Sequence, residues 1–138
     1  MMVSLPPDYR PIEDEDFMNP IQVEYFRQKL LRWRTDLIRE ADGTLASLSQ
    51  GGILEADITD RASVETDRAL ELRTRDRARK LVSKIVQALG RIEDGSYGWC
   101  EETGEPIGLR RLEARPIATM SIEAQERHER KERIHRDD

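Results

Sequence analysis

Cys100 and Thr103, then 17 residues, then Ser121 and Ala124 have the spacing of a structural zinc site. Filled with cysteine, C-x2-C…C-x2-C specifies a zinc ribbon, because tetrahedral Zn²⁺ takes four thiolate or imidazole donors. Here the four positions supply one thiolate, two hydroxyls and a methyl group, which cannot form that shell. A residual site joining Cys100 to Glu101, Glu123 or His128 would need a rearranged loop to make carboxylates converge. The expectation is a metal-free module without zinc. In it Thr103 and Ser121 hydrogen-bond locally, and Trp99, Ile107, Leu109, Leu112, Ile117 and Ile122 pack a small core. Structural zinc contributes ~10 kcal/mol or more of apparent folding free energy. The metal-free module must draw on other contacts, the N-terminal segment among them. Cys100 is then a lone thiol, of the kind that is usually buried and inert.

Three other groupings could do chemistry. Asp57 and Asp60 are two carboxylates in a turn between helical patterns; on residue type alone they read as helix caps. Arg73, Arg75, Arg77, Arg79, Lys80 and Lys84 form a basic run, interleaved with Glu71 and Asp76, that reads as a solvated helix face. His128 and His135 lie seven apart among charged residues and read the same way. No Ser–His–Asp set, phosphate-cradling glycine loop or H-E-x-x-H motif is present.

The elements that must position these groups follow from periodicity. Proline falls at 6, 7, 11, 20, 106 and 116, so nothing between Pro20 and Pro106 enforces a helix break. Residues 1–18 read as an irregular acidic arm carrying Glu13-Asp14-Glu15-Asp16. Asn19-Pro20 is an N-cap followed by a first-turn proline. Phe26, Leu30, Trp33, Leu37, Ala41, Leu45 and Leu48 then recur every three or four residues. That stripe predicts a helix ~45 Å long, ended by Gly51-Gly52. A second helix is expected to start near Thr59-Asp60, with Ala78, Leu81, Ile85, Ala88 and Ile92 as its stripe. Two long helices joined by a short turn run back antiparallel. The fold class is therefore all-α: a coiled-coil hairpin over 19–94, its tip at about 50–60, on a small base over 95–138. The base combines the degenerate ribbon, read as a loop module over 95–116, with a final helix from Ser121, its N-cap, to Arg136.

Composition sets further bounds. Charged residues make up 37% of the chain and aromatics 5%, which suits amphipathic helices rather than one large core. The net charge of −5 argues against sequence-independent binding to a nucleic-acid backbone. There is no apolar run of ~20 residues and no secretory signal pattern, and one cysteine excludes an internal disulfide. These features point to a soluble cytoplasmic protein without a membrane partner.

Several runs resemble the DksA/TraR family of bacterial transcription factors. They are Leu70-Glu71-Leu72-Arg73-Thr74-Arg75-Asp76-Arg77, Gly98-Trp99-Cys100, and Ile107-Gly108-Leu109-Arg110-Arg111-Leu112-Glu113-Ala114-Arg115-Pro116. Asp57-Ile58-Thr59-Asp60-Arg61-Ala62 fits the family's D-x-x-D-x-A tip. The resemblance implies a non-enzymatic, monomeric regulator of the stringent response. It would bind RNA polymerase rather than DNA, insert its hairpin into the secondary channel, and respond to ppGpp. It implies that Asp57, Asp60 and Ala62 approach the polymerase active centre, that Arg77 lies near the polymerase rim, and that Lys84 and Arg115 reach ppGpp. A further family lysine falls here on Gln125, so one cation of that site is missing. Two other classes remain open: a transcript-cleavage factor holding Mg²⁺ at the acidic tip, and a structural coiled-coil adaptor.

Overall fold

The computed structural model describes the backbone of residues 3–54 and 58–137, and the side chains of residues 3–43 and 63–135. Four helices follow in order: α1 (Pro20–Leu54), α2 (Ile58–Asp94), α3 (Leu109–Ala114) and α4 (Ile122–Asp137). The described residues contain no named strand; one isolated antiparallel bridge joins Trp99 and Pro106. No helix among the described residues is long and apolar enough to cross a membrane.

α1 begins as its residues dictate. The Asn19 carboxamide oxygen accepts the N–H groups of Ile21 and Gln22, both at 3.0 Å, so two orphan donors of the first turn are satisfied. The helix does not stop at Gly51-Gly52, as expected from those residues, but runs on to Leu54. Glycine lowers helix propensity by about 1 kcal/mol without forbidding the conformation, so a helix already under way can pass through it. α2 starts at Ile58, one residue before the expected Thr59-Asp60 start.

The chain divides into two compact units. One comprises residues 31–86, the facing stretches of α1 and α2. Leu37, Ala78 and Ile85 are buried there. Leu37, Ile38 and Ala41 line the same cavity as Ala78, Arg79 and Val82, as an antiparallel pair of helices requires. Leu81, Trp33 and Ala41 are only half-buried, the normal condition of a two-helix seam. One carboxylate oxygen of Glu71 is buried with no hydrogen-bond partner among the described residues.

The other unit comprises residues 1–30 and 87–138. It holds six of the chain's seven aromatic residues, and all six are in ring contact. Tyr9 meets Tyr25 edge-on, Tyr25 meets Phe26, and Phe26 packs on Tyr97. The low overall aromatic content is thus concentrated where the small core lies, and each such pair adds roughly 0.5–1.5 kcal/mol beyond its area burial. Phe26, Leu30, Ala88, Tyr97, Ile107, Leu109, Leu112, Ile117 and Ala118 are buried here. Two residues expected in this core stay outside it: Trp99 is 38% exposed and Ile122 53%. Residues 95–116 are not all loop, since Leu109–Ala114 form the six-residue α3, which buries Leu109 and Leu112.

Candidate functional site

The ribbon module keeps its backbone without the donors of a metal site. α2 is followed by Gly95, whose φ of 84° lets Ser96 and Tyr97 return their N–H groups to the Arg91 carbonyl at 3.0 and 3.1 Å. The chain then makes a tight knuckle. Cys100 N–H donates to the Glu105 carbonyl at 2.8 Å, and Ile107 N–H donates to the Gly98 carbonyl at 2.8 Å. Glu101 N–H crosses to the Thr119 carbonyl at 2.9 Å, which ties the first knuckle to the second. The buried Tyr97 hydroxyl donates to the Pro116 carbonyl at 2.8 Å.

At the four zinc-spaced positions, Cys100 is buried and Ala124 is fully buried. The Ser121 hydroxyl accepts the Ala124 N–H at 3.2 Å as the cap of α4. The Thr103 hydroxyl accepts the Glu105 N–H at 3.3 Å. Burial pushes the Cys100 thiol up. Hydrogen bonds from the Thr103 hydroxyl and from the N–H groups of Ser121, Thr103 and Glu102 together outweigh it, leaving the thiol lowered to about 7. Zinc does not fit this donor set: a methyl occupies one corner and both hydroxyls are engaged. No group of three or more His, Cys, Asp or Glu among the described residues could hold a metal ion. His128 instead pairs with Glu132 at 3.2 Å along α4.

The N-terminal arm packs on this module. Phe17 meets Trp99 edge-on, with ring centroids 5.3 Å apart. The Met18 side chain lies so close over Gly98 that a Cβ there would stand 2.8 Å from its Cγ and Sδ, and Gly98 itself has a φ of 92°. Gln22, fully buried, latches the arm: its Oε1 accepts the Met18 N–H at 2.8 Å and its Nε2 donates to the Ile12 carbonyl at 3.4 Å. Glu15 completes the latch by accepting the Ile12 N–H at 2.9 Å and the Tyr9 hydroxyl at 2.9 Å. The Ile12 N–H first, then the Tyr9 hydroxyl and Gln22 amide, hold the Glu15 carboxyl below its usual range. Burial, with that carboxylate beside it, pushes the Tyr9 phenol up to about 12. Residue type gave no signal for this network, because a glutamine in a first helical turn is ordinarily solvated.

The remaining sequence-derived sites divide between the units. Asp57 lies outside the described residues. Asp60 and Ala62 belong to the first turns of α2, and their side chains also lie outside the described set. Arg77 and Lys84 are exposed on α2 in the hairpin unit. Arg115 is exposed in the other unit, just after α3, where its N–H returns to the Arg111 carbonyl at 2.7 Å. Gln125, in the same unit, is half-buried in the first turn of α4 and donates to Glu129 at 3.2 Å. A contact unforeseen from the residues joins Lys29 to Glu113 at 2.7 Å, with the Tyr25 hydroxyl on the same carboxylate at 3.1 Å.

Residues 22–92 match the family model described as DnaK suppressor protein DksA, N-terminal domain. Residues 95–130 match the prokaryotic dksA/traR C4-type zinc finger. Among curated relatives, the RNA polymerase-binding transcription factor DksA of Caulobacter vibrioides is 70% identical over 131 residues, covering 95% of this chain and 92% of the relative. The factor of the same name from Escherichia coli K12 is 43% identical over 115 residues, covering 83% and 76%. Among solved structures, transcription factor DksA2 from Pseudomonas aeruginosa aligns with a TM-score of 0.78 at 47% identity, covering 85% of this chain and 90% of that one.

Proposed function

The chain belongs to the DksA/TraR family, and from that premise we propose that it is an RNA polymerase-binding regulator of transcription initiation rather than an enzyme. The observation that carries the reading is the 70% identity, over almost the full length of both chains, to a factor named for binding RNA polymerase. The retained hairpin and ribbon backbone support it, since both are kept although the ribbon has lost its metal donors.

The finer reading is that the hairpin acts through the polymerase secondary channel. Asp57 and Asp60 approach the basic, metal-containing active centre, and Ala62 is the small residue that permits the approach. Arg77 lies near the polymerase rim. Lys84 and Arg115 contact ppGpp, where converging cations suit a pyrophosphate and arginine adds bidentate geometry. Gln125 supplies no charge there, so the ppGpp response is weaker than with a lysine at that position. The protein works as a cytoplasmic monomer without zinc and without contacting DNA.

In vitro transcription from a ribosomal promoter with the cognate polymerase, with and without ppGpp, tests this reading. Lower promoter output, deepened by ppGpp, is the expected result. Shortened transcripts from backtracked elongation complexes would instead establish a cleavage factor. Inert behaviour in both assays, with a stable dimer in solution, would establish an adaptor.

A further inference from the structure

Arg115 is an exposed cation on a backbone held from both sides. It follows α3, between half-buried Glu113 and the buried run Pro116, Ile117 and Ala118. Its N–H donates to the Arg111 carbonyl at 2.7 Å, and its carbonyl accepts the Ala118 N–H at 3.0 Å. Two contacts from distant parts of the chain fix the neighbouring peptide groups. On one side the Tyr97 hydroxyl donates to the Pro116 carbonyl at 2.8 Å. On the other, Lys29 Nζ of α1 donates to the Glu113 carbonyl at 3.0 Å and to the Glu113 carboxylate at 2.7 Å. A single ammonium thus grips both the backbone and the side chain of the residue two places before Arg115. The Tyr25 hydroxyl, one turn earlier on α1, donates to the same carboxylate oxygen at 3.1 Å. Lys29 Nζ also lies 5.9 Å from the centroid of the Tyr25 ring.

The carbonyl contact does what an ordinary surface ion pair does not: it ties the end of α3 to α1. α3 has only six residues, too few to sustain a helix without outside contacts. The direction in which it delivers Arg115 therefore depends on its anchors. A guanidinium recognises phosphate through two parallel N–H groups, so orientation matters as well as charge. An arginine on a fixed backbone loses less freedom on binding than one on a loose loop.

We propose that Lys29, with Glu113 as its bridge, is a positioning residue for Arg115. It fixes the end of α3 so that the Arg115 guanidinium meets the phosphates of ppGpp already oriented. The inference rests on the ppGpp reading of Arg115 above, and adds to it a residue of another helix that sets the strength of that contact.

The test is the ppGpp concentration giving half-maximal enhancement in the ribosomal-promoter assay, with the full-length chain and the cognate polymerase. Lys29→Met keeps the aliphatic stem and removes the ammonium. It is expected to raise that concentration about five- to ten-fold while output without ppGpp changes less than about two-fold. Lys29→Arg is expected to bring the value back to within about three-fold of the parent. In an Arg115→Ala background Lys29→Met is expected to add less than about two-fold, because no guanidinium is left to position. Glu113→Gln keeps the shape and the carbonyl acceptor, and is expected to raise the value about two- to four-fold; it decides the matter if Lys29→Met melts below the assay temperature. No rise in either variant overturns the positioning role. Equal losses with and without ppGpp, or fully additive losses in the double variant, also overturn it, by making Lys29 a general support of the base. An Arg115→Ala chain that responds to ppGpp as the parent does overturns the ppGpp reading of Arg115, and the inference with it.

Discussion

Replacing Gln22 by leucine should release the N-terminal arm while leaving the rest of the base folded. The two side chains are similar in volume, so Gln22→Leu opens little cavity and isolates the hydrogen bonds. The Met18 N–H loses its 2.8 Å acceptor, and the Ile12 carbonyl and Glu15 carboxylate each lose a donor. A buried donor left without a partner costs about 1–3 kcal/mol. Removing a buried primary amide recovers part of that, so the net loss should be about 1–2 kcal/mol, or a 5- to 30-fold rise in the open arm. Hydrogen exchange followed by mass spectrometry reads this directly. Exchange in peptides spanning residues 9–19 should accelerate by that factor, with peptides around Leu112 unchanged. Acid should act on the same latch in the parent. The Glu15 carboxyl is lowered in the folded state, so its stabilisation is present above the ordinary value of 4.5 and is lost as pH falls through the folded value. Arm exchange within two-fold of the parent would refute the latch and assign the arm to the Phe17–Trp99 and Met18–Gly98 contacts. Equal acceleration everywhere would make Gln22 part of the global core.

Asp57→Asn combined with Asp60→Asn should leave polymerase binding within a few-fold of the parent and abolish the effect on promoter output; parallel loss of both would make the tip structural. The purified protein should contain no stoichiometric zinc by elemental analysis and keep its fold in a strong chelator. Because the Cys100 thiol is lowered to about 7, its contribution to stability should be present above the ordinary value of 9.0 and be lost as pH falls through about 7; denaturant titrations should show this pH dependence, and Cys100→Ser should remove it. Lys84→Ala and Arg115→Ala should each reduce ppGpp enhancement in the transcription assay more than basal activity, with Gln125→Lys raising it; each charged hydrogen bond to phosphate is worth about 1.5–3 kcal/mol.

The sequence alone determined the features that local chemistry controls. Asn19 and Ser121 cap the helices they precede, because a short polar side chain reaches the N–H groups two or three residues on. The three- and four-residue recurrence of Phe26, Leu30 and Leu37, and of Ala78, Ile85 and Ala88, marked the buried stripes of α1 and α2. That the four zinc-spaced positions carry one thiolate, two hydroxyls and a methyl was equally legible, since donor chemistry is a property of residue type. Tertiary structure alone decided what depends on neighbours distant in the chain. It left Trp99 on the surface beneath Phe17, buried Tyr97 against Phe26, and put Gln22 inside the base. It carried α1 through Gly51-Gly52 and curled Leu109–Ala114 into a helix. It turned Cys100 into a hydrogen-bonded thiol by wrapping Thr103, Glu102 and Ser121 around it. Periodicity reports which face of an element is apolar, but the partner of that face is set by packing, where a burial of a few kcal/mol outweighs propensities of about 1 kcal/mol per residue.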